Sequence, residues 1–277
     1  MFKIATTETY EPAYCIKDWI KRSDEFDFVL FITKNLTPEI IDIFTNPQSK
    51  WSYINKPGII HITCTGWGGT IIEPRVASLD TTKHRIMKLL SAGYPIERLV
   101  MRCDPIIPTK DGLDKFKQVC EVAEELKINR IRCSIMQLYK HVLERFNKNS
   151  EFEKEINTLY NGKFIPDAIQ NSQSYKIIKD IKNQFPNIVF ESCATNVLTQ
   201  LCDFASCGCV SEKDLIINKI DANSLNLPKS TQRQSCMCLM KHQLIPGGYN
   251  KGRCPNECIY CYLKDKKEDK LKSGQLF

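Results

Sequence analysis

The chain has no run of about 18 apolar residues, the length a membrane-crossing helix needs, so the sequence predicts no transmembrane segment. It opens Met1-Phe2-Lys3-Ile4-Ala5-Thr6-Thr7-Glu8, without the apolar core of a secretory signal, and the expected location is the cytoplasm. Its four histidines, His61, His84, His141 and His242, show no metalloprotease spacing, and no Gly-x-Ser-x-Gly elbow occurs. Hydrolytic and Ser-His-Asp chemistry are therefore disfavoured. Gly66, Gly68 and Gly69 are not followed by Lys-Ser/Thr, which excludes a phosphate loop at that point. Internal repeats and low-complexity tracts are lacking too.

What remains is ordinary in bulk. With 277 residues, 42% hydrophobic and 26% charged, the chain can build one large α/β domain or two modest ones. The net charge of +7 permits an anionic partner without establishing one. Part of it lies in the tail at 264–272, where both signs alternate as they do on a solvated terminus.

Cysteine is the exception, at 14 residues. Cytosolic thiols stay reduced, so clustered cysteines there read as metal or redox sites rather than disulfides. The densest group is Cys254-Pro255-Asn256-Glu257-Cys258-Ile259-Tyr260-Cys261-Tyr262, a Cys-x3-Cys-x2-Cys loop. Thiolate sulfur is the soft ligand used by both iron–sulfur clusters and zinc. A closed structural site wants four ligands, whereas three on one loop leave a metal position open for an external ligand. A second group comprises Cys193, Cys207, Cys209, Cys236 and Cys238, enough thiolates for an auxiliary iron–sulfur cluster or a closed zinc site.

The rest of the chain alternates. Strand-length apolar runs are predicted at 26–33, 58–64, 98–102, 130–135 and 187–191. Helical patterns fall after Pro12, after the Thr37-Pro38-Glu39 start, at 80–90 before Gly93, at 113–126 and at 197–202. The stretch 139–185 is mostly helical in pattern, polar, and broken near Gly162 and Pro166. Strand then helix, repeated, predicts a parallel sheet with right-handed crossovers: a full or partial (β/α) barrel rather than an open doubly wound sheet. Residues 1–217 are expected to form this core. From 218 to 277 periodicity fades, and bound metal is the economical way to order a Cys-rich irregular segment packed on the barrel.

Cys-x3-Cys-x2-Cys with Tyr260 before the third cysteine resembles the cluster loop of radical S-adenosylmethionine (radical SAM) enzymes, though it lies late in this chain. A late loop ending Tyr-Cys-Tyr resembles the bacterial domain-of-unknown-function family 1848 in particular. Phe31-Ile32-Thr33-Lys34-Asn35, Thr65-Gly66-Trp67-Gly68 with Glu73-Pro74, Arg102-Cys103-Asp104-Pro105-Ile106-Ile107 and Gln232-Arg233-Gln234-Ser235-Cys236-Met237-Cys238 carry the same resemblance. One departure stands at the start: Thr6-Thr7-Glu8-Thr9-Tyr10-Glu11-Pro12 keeps the proline of the family's opening stretch and lacks both of its arginines. The resemblance implies a permuted radical SAM-type barrel, with Cys254, Cys258 and Cys261 holding a [4Fe-4S] cluster whose open iron binds S-adenosylmethionine. It also implies a reductant such as flavodoxin or ferredoxin, and it makes Cys193, Cys209, Cys236 and Cys238 the expected ligands of the second centre. The substrate is left open among nucleotide, nucleic acid and peptide.

In such a barrel function gathers at the carboxyl ends of the strands. Those ends offer Lys34, Gly66, Gly68, Gly69, Arg102 and Asp104 as candidates for holding the cofactor, with Glu73 or Asp104 accepting from an amine or hydroxyl. Each has a plainer account: a βα turn for the glycines, an Arg102–Asp104 scaffold pair, a solvated strand end for Lys34. Cys64 or Cys103 could donate hydrogen to a product radical, but core packing is the stronger account of both. Catalytic residues are not assigned. A non-catalytic iron–sulfur or zinc protein, with a basic surface for nucleic acid, is the competing class.

Overall fold

The computed structural model describes residues 2–148, 156–157, 173–193, 196–230, 236–245 and 254–262. The expected break near Gly162 and Pro166, the lead-in at 232–235 and the charged tail at 264–272 lie outside the described residues. The strands are β1 (Ile4–Thr6), β2 (Phe28–Thr33), β3 (Gly58–Thr63), β4 (Leu99–Ile106), β5 (Arg130–Ile135), β6 (Val189–Ser192), β7 (Ala205–Ser206) and β8 (His242–Gln243). They form one eight-stranded sheet in the order β7-β6-β5-β4-β3-β2-β1-β8. Every neighbouring pair is parallel. Among the described residues no pairing joins β7 to β8, so the sheet stays open. Of the two expected barrels the complete one is set aside; the open sheet is compatible with a partial (β/α) barrel.

Local chemistry explains most elements. β2 and β3 are runs of β-branched and aromatic residues, buried along their whole length as parallel strands covered on both faces are. Helix Pro38–Thr45 starts where predicted, with the Thr37 hydroxyl accepting from Ile40 N at 3.2 Å. Ser78 and Thr109 cap Leu79–Ser91 and Lys110–Glu125 in the same way. The stretch after Pro12 is not one helix but Ile16–Trp19 between two 3₁₀ segments, Pro12–Tyr14 and Ile20–Glu25. Between 139 and 185 the described helices are Lys140–Asn147 and Gln173–Gln184, and Asn196–Cys202 follows β6. No described helix is long and apolar enough to cross a membrane.

Alternation along the strands divides the interior. Val29, Phe31, Ile60, Ile62, Met101, Cys103, Ile131 and Phe190 join the helices in the main core. Phe28, Leu30, Ile32, Ile59 and Val100 point the other way, and there they meet Cys209, Val210, Leu215, Cys238 and Leu239. Cys209, Val210 and Leu215 with Cys238 and Leu239 thus cover the second face of the sheet, while Cys258 and Tyr260 of the cysteine loop pack in the main core. That face also buries charge. Arg102, Arg132 and Glu191 stand side by side in register across β4, β5 and β6. Arg132 donates to Glu191 at 2.6 Å, while Arg130 donates to Glu191 at 3.1 Å and to Asp214 at 2.9 Å. Despite burial, which raises it, the two guanidiniums hold the Glu191 carboxyl below the ordinary carboxylate range.

Candidate metal centres at the carboxyl ends of the strands

Because all strands run the same way, their carboxyl ends share one rim, and β8 brings the chain to that rim shortly before Cys254. The loop that follows is tied to the ends of β2 and β3 by side chains other than cysteine. Asn256, 2% exposed, accepts from Asn35 Nδ2 at 2.8 Å and donates to Glu11 Oε2 at 3.2 Å. Glu11 also receives the Lys34 backbone N–H at 2.8 Å and the Thr33 hydroxyl. Burial raises the Glu11 carboxyl, although these donors oppose the shift. Lys34 Nζ donates to Glu73 Oε1 and to the Tyr260 hydroxyl, both at 2.7 Å, while Tyr260 donates to Glu73. The Thr65 hydroxyl donates to the other Glu73 oxygen at 2.7 Å. Burial works against the charge on Lys34, but Glu73 and Cys258 outweigh it and raise its pKa. On the backbone, Ile259 N donates to Ile72 O at 3.1 Å, and Arg145 grips the Ile259 and Cys261 carbonyls.

Within the loop Cys258 is buried, and Cys254 and Cys261 are half-buried. Burial pushes the Cys258 thiol up to about 12, so only a bound cation would make it a thiolate at neutral pH. The three sulfurs do not crowd onto a single point: among the described residues, the group of ligand atoms all within 4.8 Å of one another is Cys193, Cys236 and Cys238.

The remaining rim candidates fall into two sets. Lys34 meets the cysteine loop at Tyr260, and the chain just after the glycines meets it through Ile72 and Glu73. Gly66 and Gly69 take positive φ, +81° and +77°, and a Cβ on Gly68 would lie 1.8 Å from the Ala77 carbonyl oxygen. The close approach that glycine permits here is to the chain's own backbone. Gly68→Ala is therefore expected to destabilise the protein by about 1–3 kcal/mol, read as a lower midpoint in urea, because a backbone carbonyl cannot yield as a side chain does. Arg102 and Asp104 do pair, Nε to Oδ2 at 2.7 Å, and Ser134 donates to the other Asp104 oxygen. Burial raises Asp104, but Arg102 and Ser134 pull it below the usual carboxylate range. Arg102 also reaches the Cys209 sulfur at 3.9 Å, which links this pair to the second cysteine group.

That second group is compact. Cys193 Sγ and Cys238 Sγ are 3.7 Å apart, and Cys209 N donates to Cys238 Sγ at 3.0 Å. Cys236 completes a trio of sulfurs with Cys193 and Cys238, all within 4.8 Å of one another. Either thiol can be the donor between Cys193 and Cys238, and this coupling draws the Cys238 thiol below its ordinary value while pushing Cys193 up. Cys207 lies instead beside Arg132 and Glu191. Cys64 and Cys103 are buried in the helix-facing core, as are Cys120, Cys133 and Cys202, while Cys15 packs half-buried against it. His242 is exposed on β8.

Sequence reading missed several polar anchors. Glu11 sits in a stretch noted only for lacking arginines, and Asn256 lies between Cys254 and Cys258. The partners of Arg130 are 61 and 84 residues away in sequence, so nothing local marks them. His61, wholly buried, is held neutral by burial and by Arg132, which donates to its Nε2 at 3.4 Å; its Nδ1 has no partner.

An open parallel α/β sheet with two cysteine groups at its rim defines an α/β protein with candidate metal-binding thiols. The chain matches the family model described as "Domain of unknown function (DUF1848)" over residues 7–263, and it belongs to that family. No curated protein and no solved structure matches it.

Proposed function

We propose that the chain is a cytoplasmic iron–sulfur enzyme of the radical SAM type, with Cys254, Cys258 and Cys261 as the ligands of a [4Fe-4S] cluster. The observation that carries this reading is the loop: three thiols on one short turn, fastened by Asn256 and Tyr260, over the carboxyl ends of parallel strands. Its position after β8, itself parallel to β1, gives the reading its permuted strand order. When bound, the cluster and S-adenosylmethionine supply a one-electron cleavage that yields a 5′-deoxyadenosyl radical for hydrogen abstraction. The chain's own part is to bind and orient. Lys34, beside Glu73, offers a cation for a carboxylate, and Glu73 offers an acceptor for an amine. Gly66, Gly68 and Gly69 form the adjoining wall, and Arg102 with Asp104 presents fixed charge at the end of β4. Buried Trp67 and Tyr260 keep water from this corner. The electron donor is a flavodoxin- or ferredoxin-type protein. The substrate belongs to nucleotides, nucleic acids or peptides, the first two matched by the net charge of +7.

Anaerobic purification and reconstitution with iron and sulfide test the proposal. The expected protein is brown, carries acid-labile sulfide, bleaches with dithionite and releases 5′-deoxyadenosine from S-adenosylmethionine. The Cys254, Cys258 and Cys261→Ala triple variant loses all four properties. Reconstituted protein that yields no 5′-deoxyadenosine overturns the reading. A second reading, a non-catalytic metal protein, draws on one observation: the tightest thiol group is Cys193, Cys236 and Cys238, away from the loop. Colourless protein with stoichiometric zinc and no cleavage activity would favour it.

A further inference from the structure

We propose that Cys193, Cys209, Cys236 and Cys238 hold a single tetrahedral zinc ion that fastens the two open edges of the sheet together. The edges are β7 and β8. Cys193 directly follows β6 and Cys209 follows β7 closely, while Cys236 and Cys238 belong to the lead-in to β8. The four thiols therefore come in two pairs, one from each side of the gap.

Three independent observations place the two sides in contact. Leu239 N donates to Val210 O at 3.0 Å, and Cys209 N donates to Cys238 Sγ at 3.0 Å. A Cβ on Gly208 would stand 2.7 Å from both Cys238 Cα and the Met237 carbonyl oxygen, so the chains meet as closely as glycine allows. The sulfur spacing then selects the ligand. Zinc–sulfur bonds of about 2.3 Å in a tetrahedron set sulfur atoms about 3.8 Å apart. Cys193 and Cys238 are 3.7 Å apart, and Cys236 lies within 4.8 Å of both. Cys209, whose backbone N–H donates to Cys238 Sγ at 3.0 Å, supplies the fourth thiol, although its sulfur stands outside that 4.8 Å group. A cluster would need the thiolates spread over several irons.

The surroundings suit an ion that keeps net negative charge with four thiolates. Lys241, its side chain 1% exposed, stands beside the group and pairs with Glu8 at 2.8 Å. Arg102 reaches the Cys209 sulfur at 3.9 Å, and Arg132 donates to the Cys209 carbonyl at 2.7 Å. An N–H···S bond to Cys238 adds to this. The site fixes β8, and with it the start of the segment that carries Cys254, Cys258 and Cys261; it stands whether or not those three hold a cluster.

The test uses the full chain carrying Cys254, Cys258 and Cys261→Ala, which separates this site from the loop. One zinc per chain is expected, with four sulfur neighbours at about 2.3 Å by X-ray absorption. Cobalt in its place should give the intense charge-transfer and visible bands of a tetrahedral tetrathiolate. Removing the zinc with a chelator should lower the melting temperature and speed proteolysis of the 207–241 segment, and zinc alone should reverse both. Cys236→Ser with Cys238→Ser should bind no zinc; because that variant can fail to fold, the absorption measurement on the loop variant decides. No stoichiometric zinc, nitrogen or oxygen ligands, or iron with acid-labile sulfide in the loop variant would each overturn the proposal.

Discussion

Glu191→Gln is expected to cost about 3–5 kcal/mol of folding stability, the range for removing one partner from a buried ion pair. Glu191 is 2% exposed and takes hydrogen bonds from both Arg130 and Arg132. Glutamine keeps the shape and loses the charge. Arg130 retains Asp214, whereas Arg132 is left, among the described residues, with the Cys209 carbonyl and the neutral His61 ring. The whole cost therefore falls on one stranded guanidinium. Urea denaturation measures it directly. If the account is right, Arg132→Met together with Glu191→Leu recovers much of the loss, because desolvation disappears with both charges. Acid should reveal the same network. The Glu191 pKa is depressed in the folded state, so its contribution is complete above the ordinary carboxylate value of 4.5 and fades as pH falls through the folded value. Wild type should then lose stability on acidification more steeply than Glu191→Gln. Equal slopes, or a loss below about 1 kcal/mol, would show the pair to be weakly coupled.

Lys34→Met should have the second largest effect, about 3 kcal/mol, from a buried carboxylate losing its cation. The Glu73 side chain is 1% exposed, and without Lys34 it keeps only the Tyr260 and Thr65 hydroxyls. Tyr260 loses a donor in the same step, so the cysteine loop loosens. Hydrogen exchange at the Ile259 amide, bonded to Ile72 O at 3.1 Å, reports this separately from global unfolding. Exchange there should quicken more than in the central strands. Glu73→Gln added to Lys34→Met should restore part of the stability but not the anchor on Tyr260. Unchanged exchange at Ile259 would mean that Asn256 and Arg145 hold the loop without help from Lys34.

The alternation of strand and helix was legible because it is written locally. The hydroxyl cap at Thr37 starts a helix, and β-branched runs such as Ile59-Ile60-His61-Ile62 cannot be much else. Residues 130–135 are a strand to the residue, as expected. The third strand read as ending at Arg102 because a charge pair and Pro105 follow, yet β4 runs to Ile106, since Asp104 finds Arg102 and Ser134 and needs no solvent. β7 and β8 were invisible. Ala205-Ser206 and His242-Gln243 have no strand pattern; they pair because neighbouring chain holds them there. At the rim, residue type pointed to the two cysteine groups. Which thiols approach one another, and the roles of Glu11, Asn256 and Lys241, depend on contacts across the whole chain.

The sheet sets β8 beside β1, near opposite ends of the sequence. Strands β2 to β5 pair with their neighbours in order of synthesis and can assemble while the ribosome is still at work. The rim must wait. The thiols of the cysteine loop follow every described strand in the chain, so any inorganic cargo is delivered onto strands that have already had time to pair.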